Sequence, residues 1–202
     1  MKFSYEFNQA VQAAAFLLKK ACGRMSYMKL LKLLYIADRE YLLTYGETIT
    51  GDDSFAMKDG PVLSRIYAYI KPSPNWQPEP AEQEKRQTWC RYIQTDAPQM
   101  YTVSLIDDPG DDDLSESMED CLASVFEKFR TYDQFDMSEY THGFHEWQIK
   151  SVEINQNKKS VPMDWFDTLA DNPKMLHAAR ENIRMAEADA RLLQAVGRKN
   201  DL

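Results

Sequence analysis

Apolar positions along this chain recur mostly at helical spacing. Phe7, Val11, Ala14 and Leu18 step by four, three and four, which predicts a first amphipathic helix closing near Cys22-Gly23. A second helix is expected between Ser26, a candidate N-cap, and Gly46, a candidate for the position just past its last turn. Its stretch "KLLYIADREYL" is apolar over most of its circumference, so this helix should be central and packed on several sides. At about 100° per residue, Lys29, Lys32, Arg39 and Glu40 share one polar arc. Asp38 lies opposite, among Leu31, Leu34, Tyr41, Leu42 and Tyr45. A carboxylate there loses its water and must find a donor. The candidate partners are the amides preceding Pro61 and the ring of His142.

Beyond the second helix the period changes. In "GETITGDDSFAMKDGP" turn residues surround a short run, Ser54 to Met57, that reads as a strand. Pro61 suits the first position of a third helix, with Asp59 or Gly60 capping and Val62, Leu63, Ile66, Tyr67 and Ile70 on one face. Residues Lys71 to Glu84 are rich in proline and polar groups, which predicts an extended loop with Trp76 exposed. The runs "TWCRYIQ" and "MYTVSLI", separated by "TDAP", have the pattern of an antiparallel hairpin. Together with the Ser54 run they would make one small three-stranded sheet.

The acidic tract "DDPGDDDLSESMED" precedes Leu114, Met118, Cys121, Leu122, Val125 and Phe129, which step helically. Carboxylates favour helix N-termini, so the tract reads as the start of a fourth helix capped by Ser115 or Ser117. A further short helix opens at Ser138. In the tail, Asn172-Pro173 is a cap followed by a first-turn proline, and Leu176, Ala179, Ile183, Ala186, Ala190 and Leu193 form a three-four seam. That helix is expected to pack on its own domain, with a homodimer through it as the alternative. The fold class is therefore α+β and mainly α-helical: a compact helical domain with a small antiparallel sheet or hairpin and a C-terminal amphipathic helix.

With 202 residues, 44% of them hydrophobic, the protein is long enough to bury one main core. Its net charge of -8 argues against coating nucleic acid and favours a basic protein partner. Cys22, Cys90 and Cys121 show no metal-binding spacing and read as reduced core thiols of a cytoplasmic protein. Glu6, Asn8, Gln9 and Gln12 interrupt the apolar N-terminus, so neither a signal peptide nor a membrane span is expected.

The enzyme templates find little support. His142, His145 and Glu146, with Glu139 upstream, could hold a metal ion, but Gly143 interrupts them and no His-Glu-x-x-His stands on a long helix. A metal-dependent hydrolase is thus the weaker alternative. Cys121 on an apolar helix face and Cys90 in a strand should be inert, and no phosphate-binding glycine loop occurs. No catalytic residue, metal or cofactor is expected. The polar residues in apolar settings are Asp38, the Lys58-Asp59-Gly60 corner and His142. Asp38 would tie the second helix to that corner or to "YTHGFHEW"; alternatively the same residues line a shallow recognition site.

Taken in order, "KLLYIADREYLLTYG", "ITGDDSFAMKDGPVLSRIY", "DDLSESMEDCL" and "YTHGFHEWQ" resemble the Panacea domain, also called the SocA-like antitoxin domain. The resemblance runs from about Tyr5 to Lys150, which sets a domain of residues 1–150 and an extension of 151–202. It implies a compact, mainly helical fold with a small sheet, and an antitoxin of bacterial or phage toxin-antitoxin pairs that binds a protein toxin. A protease adaptor and a prophage interaction protein are the alternatives within that class. Matching positions are Lys32 to Tyr35 and Asp38, then Ala56, Gly60, Pro61, Val62 and Tyr67, then Leu114 and Ser115, and finally Thr141, His142 and Trp147. The toxin-binding or family-pattern candidates are Tyr35, Asp38, Lys58, Asp59, Gly60, Pro61, Thr141, His142 and Trp147. No basic recognition helix precedes the domain, so direct DNA binding is not expected. The tail from Val161 onward lies outside the resemblance and is a place where partner choice could reside.

Overall fold

The computed structural model describes residues 2–96, 101–156 and 158–197. Helix α1 (Phe7–Lys20) leads through strand β1 (Arg24–Ser26) into α2 (Tyr27–Tyr45). The hairpin of β2 (Ser54–Met57) and β3 (Gly60–Leu63) is followed by α3 (Ser64–Ile70), α4 (Pro80–Tyr92), β4 (Ile93–Thr95) and β5 (Thr102–Leu105). Helices α5 (Glu116–Lys128), α6 (Gln134–His142) and α7 (His145–Asn155) come next. Last in order are β6 (Ser160–Pro162), a 3-10 turn (Trp165–Leu169) and α8 (Pro173–Gly197). Among the described residues this is a mainly helical α+β fold with two small antiparallel sheets, ordered β1-β5-β4 and β3-β2-β6.

The central element is α2, as its apolar circumference requires. Eleven of its residues are buried, and it packs against α1, α5, α6, α8 and β3. It ends at Gly46, whose φ of 76° lets its amide close back on the Leu42 carbonyl at 3.0 Å. Ser26 holds the N-cap position but makes no cap bond, because its hydroxyl donates to Gln134 at the start of α6.

Several local expectations fail for reasons that lie in distant contacts. Pro61 is not a helix start. It sits in β3, an edge strand opposite Ala56, where its missing amide hydrogen costs no ladder bond. Helix α3 begins three residues later, its first amides capped from afar by Asp52, which accepts from Arg65 N at 2.9 Å and Ile66 N at 3.1 Å. The run "TWCRY" is helical, because Trp89, 1% exposed, docks against Tyr69 from the inner face of α4. Cys90 therefore lies in a helix, and the extended loop ends at Pro80 rather than Glu84. Trp76 is half-buried, with the Arg86 guanidinium 5.9 Å from its ring.

The expected single sheet is two. β5 pairs with β4 on one side and β1 on the other, while β2 takes β6 from beyond residue 150. Three-residue strands carry too little alternation to be read from sequence. The connection at 97–100 lies outside the described residues. Helix α6 opens at Gln134, four residues before Ser138, because Asp133 and Asp136 form a capping box. The α5 start is as read: Ser115 accepts from Met118 N at 3.3 Å. Cys22 is exposed rather than a core thiol.

Candidate functional site

The residues singled out around "MKDGP" converge on the turn of the β2–β3 hairpin. Met57 pairs with Gly60, so Lys58 and Asp59 form a two-residue turn, and Gly60 has a φ of 93°. Four hairpin carbonyls each receive one side-chain donor from a helix. Trp147 Nε1 donates to Met57 O at 3.1 Å, His142 Nε2 to Lys58 O at 3.1 Å, Ser138 Oγ to Asp59 O at 2.9 Å and Lys32 Nζ to Pro61 O at 2.7 Å. A carbonyl can only accept, so the His142 proton in this bond resides on Nε2. The imidazole stacks on the Trp147 indole, with centroids 4.1 Å apart and planes 19° apart. Burial, and then the nearby Lys32 charge, hold its pKa below the ordinary histidine value. Thr141 bonds locally, its hydroxyl donating to Ser138 O at 2.9 Å, and lies against Gly60.

Lys32 departs from its expected place on the solvent arc. It is 1% exposed, and its ammonium occupies the space that the missing Gly60 side chain leaves. Burial outweighs the attraction of Asp59 and brings its pKa down to about 7.

Tyr35 stands one turn further along α2. Its hydroxyl donates to Glu146 Oε1 at 3.0 Å, and Arg39 Nε donates to the same oxygen at 2.7 Å. The Arg39 guanidinium lies 4.2 Å from the Phe144 ring centroid. Glu146 is fully buried and Arg39 shields it, so this ion pair belongs to the interior. The sequence offered Glu146 only as a metal ligand. In the fold it turns to α2, His142 to the hairpin, and His145 to solvent. Among the described residues no three such side chains are placed to share a metal ion. Burial pushes the Cys121 thiol up to about 12, the opposite of what a nucleophile requires.

Asp38 does not join this group. Neither the amides before Pro61 nor His142 is its partner. It accepts from Thr50 N at 2.9 Å and Thr50 Oγ1 at 2.5 Å, and so fastens the loop after α2. Burial raises its pKa to about 7, against the pull of those bonds. Asp52, a second buried carboxylate that sequence reasoning missed, lies in the same loop. It caps α3, and its carbonyl accepts from Trp165 Nε1 at 2.9 Å. Its one local signal was an aspartate twelve residues before a serine-led helix start, a spacing without a rule.

The architecture thus defines a mainly helical α+β domain whose polar centre is a hairpin clasped by three helices, with the Arg39–Glu146 ion pair beside it. A family model described as Antitoxin SocA-like, Panacea domain, matches residues 30–148. That span is more than half of the chain and holds every side chain of the clasp, so the chain belongs to this family. No curated protein and no solved structure matches it. Among the described residues no helix is long and apolar enough to cross a membrane.

Proposed function

We propose that this chain is a non-enzymatic antitoxin that neutralises a protein toxin by binding it directly in the cytoplasm. Membership of the SocA-like family over residues 30–148 carries the reading. Two features agree with it. His142 and Glu146, which might have served a metal site, are committed to internal bonds, and the net charge of -8 suits a basic partner. A neutralising complex would bury on the order of 1,600 Å². Tyr35 and Asp38 are buried and would serve only as supports, whereas Lys58 and Asp59 are exposed and open to a partner. DNA binding has no part in the proposed role.

A growth test decides it. Each small open reading frame beside the gene is expressed with and without this protein, and any toxic product is tested for co-purification. Rescue of growth together with a stable complex is expected. Rescue without a complex would overturn direct binding and turn the reading toward delivery to a protease. A toxic neighbour that is not rescued would overturn the antitoxin role for that pair.

A further inference from the structure

A cavity of about 110 Å³ opens where the β2–β3 turn meets α2. Its charge is unlike that of the whole protein: Lys32, Lys58 and Lys159 line it against the single carboxylate of Asp59. Leu31, Met57 and Val62 supply apolar wall. Lys58 and Lys159 are exposed at the mouth, while Lys32 is 1% exposed. An ammonium carries three donors, and among the described residues only Pro61 O accepts one, with no carboxylate within 4.0 Å of Nζ. A buried lysine so poorly compensated holds its proton weakly, and an anion entering the cavity would restore its charge. Gly60 makes room for the ammonium at this wall of the cavity, since a Cβ there would stand 2.8 Å from Lys32 Nζ.

We propose that this cavity receives a carboxylate on a short apolar stem from the protein partner, with Lys32 as its counter-ion and Leu31, Met57 and Val62 against the stem. The group is an acidic side chain or the partner's terminal carboxylate. The assignment rests on the reading that the protein binds another protein, and it adds a local acidic contact to a partner that is basic overall. Lys58 and Lys159 draw the carboxylate in, and Lys32 pairs with it where water is excluded.

The test uses the full-length protein and needs no toxin, so its failure is separate from failure of the growth rescue. Lysine-labelled protein is titrated with sodium propionate at constant ionic strength, with propionamide as the neutral isostere, following the Lys32 Cε resonance. A saturable shift is expected with propionate and at most a tenth of that response with propionamide. Lys32→Met, followed through the Lys58 and Lys159 Cε resonances at the mouth, should weaken propionate at least tenfold. Should that variant fold poorly, the double variant Lys58→Ala/Lys159→Ala, altered only at exposed positions, should still weaken it at least threefold. N-acetyl-glutamate α-amide and N-acetyl-leucine then separate the two sources, as side-chain and terminal carboxylates. No shift, an equal response to propionamide or to added chloride, or unchanged affinity in the variants would overturn the proposal.

Discussion

At the scale of single residues, two positions bear more than their size suggests. Asp38 satisfies both donors of Thr50 from a fully buried site. Replacing it by alanine strands an amide and a hydroxyl and leaves a cavity, a loss of about 2–4 kcal/mol. Melting should fall by roughly 5–15 °C. Asp38→Asn keeps an acceptor for the amide and gains a donor for the hydroxyl, so calorimetry should show less than half of that loss. If both variants melt like the parent, the Thr50 contact is not what holds the loop. Gly60 is the second position. At φ 93° an added Cβ would lie 2.5 Å from Thr141 Oγ1 and 2.8 Å from Lys32 Nζ. Gly60→Ala should cost about 2–4 kcal/mol, combining left-handed strain with overpacking, and urea unfolding would read it as a lowered midpoint. The need of Asp38 for a donor was legible in its place on α2, and so was the importance of the Gly60 corner. The identity of the donor was not, because Thr50 becomes a neighbour only when the backbone turns back after Gly46. Lys32 misled for a related reason. Its angular position matched solvent-facing residues, and only the hairpin laid across it turns that arc inward.

At the scale of elements, helices whose caps and apolar faces are local were read closely, and α1, α2, α5 and the start of α8 stand where spacing placed them. Elements set by remote partners were not. The residues at 88–92 favour strands, yet burying Trp89 against Tyr69 decides for helix, since tertiary packing overrides modest propensity differences. The short strands β1 and β6 exist because β5 and β2 offer open edges. The seam of α8 is used only in part: Ala179 and Ile183 are buried, and Asn182 reaches the Tyr45 and Gly46 carbonyls, whereas Leu193 of the seam and its neighbour Leu192 are 73% and 64% exposed. The double variant Leu192→Glu/Leu193→Glu should therefore leave monomer stability within about 0.5 kcal/mol by urea unfolding. A loss larger than about 2 kcal/mol would mean that these side chains are covered in solution. Light scattering on the same pair of proteins would show whether the cover is a second copy.

At the scale of the whole molecule, three buried charges shape how stability depends on pH. Burial lifts Asp38 to about 7 and Asp52 to about 6, from an ordinary value near 3.8. The folded protein thus keeps protons that the unfolded state has already released, and stability falls as pH rises from about 4 toward 7. Lys32 acts in the opposite direction at higher pH. Folded, it loses at about 7 a proton that the unfolded state keeps to about 10.5, so stability climbs again across that interval. His142, held below its ordinary value beside Lys32, adds a rise with pH below about 6.5 and partly offsets the acidic limb. Around Lys32 the other charges are Asp59, Lys58 and Lys159, all of them exposed and screened. The sum is a minimum of stability near neutrality. Urea midpoints measured from pH 4 to 9.5 should trace it. Asp38→Asn should flatten the falling limb, and Lys32→Met the rising one. If the Asp38→Asn curve stays parallel to the parent between pH 4 and 7, Asp38 is ionised in the fold throughout that range. The Thr50 bonds would then outweigh burial, and the loop that carries Asp52 would be anchored by a true buried anion.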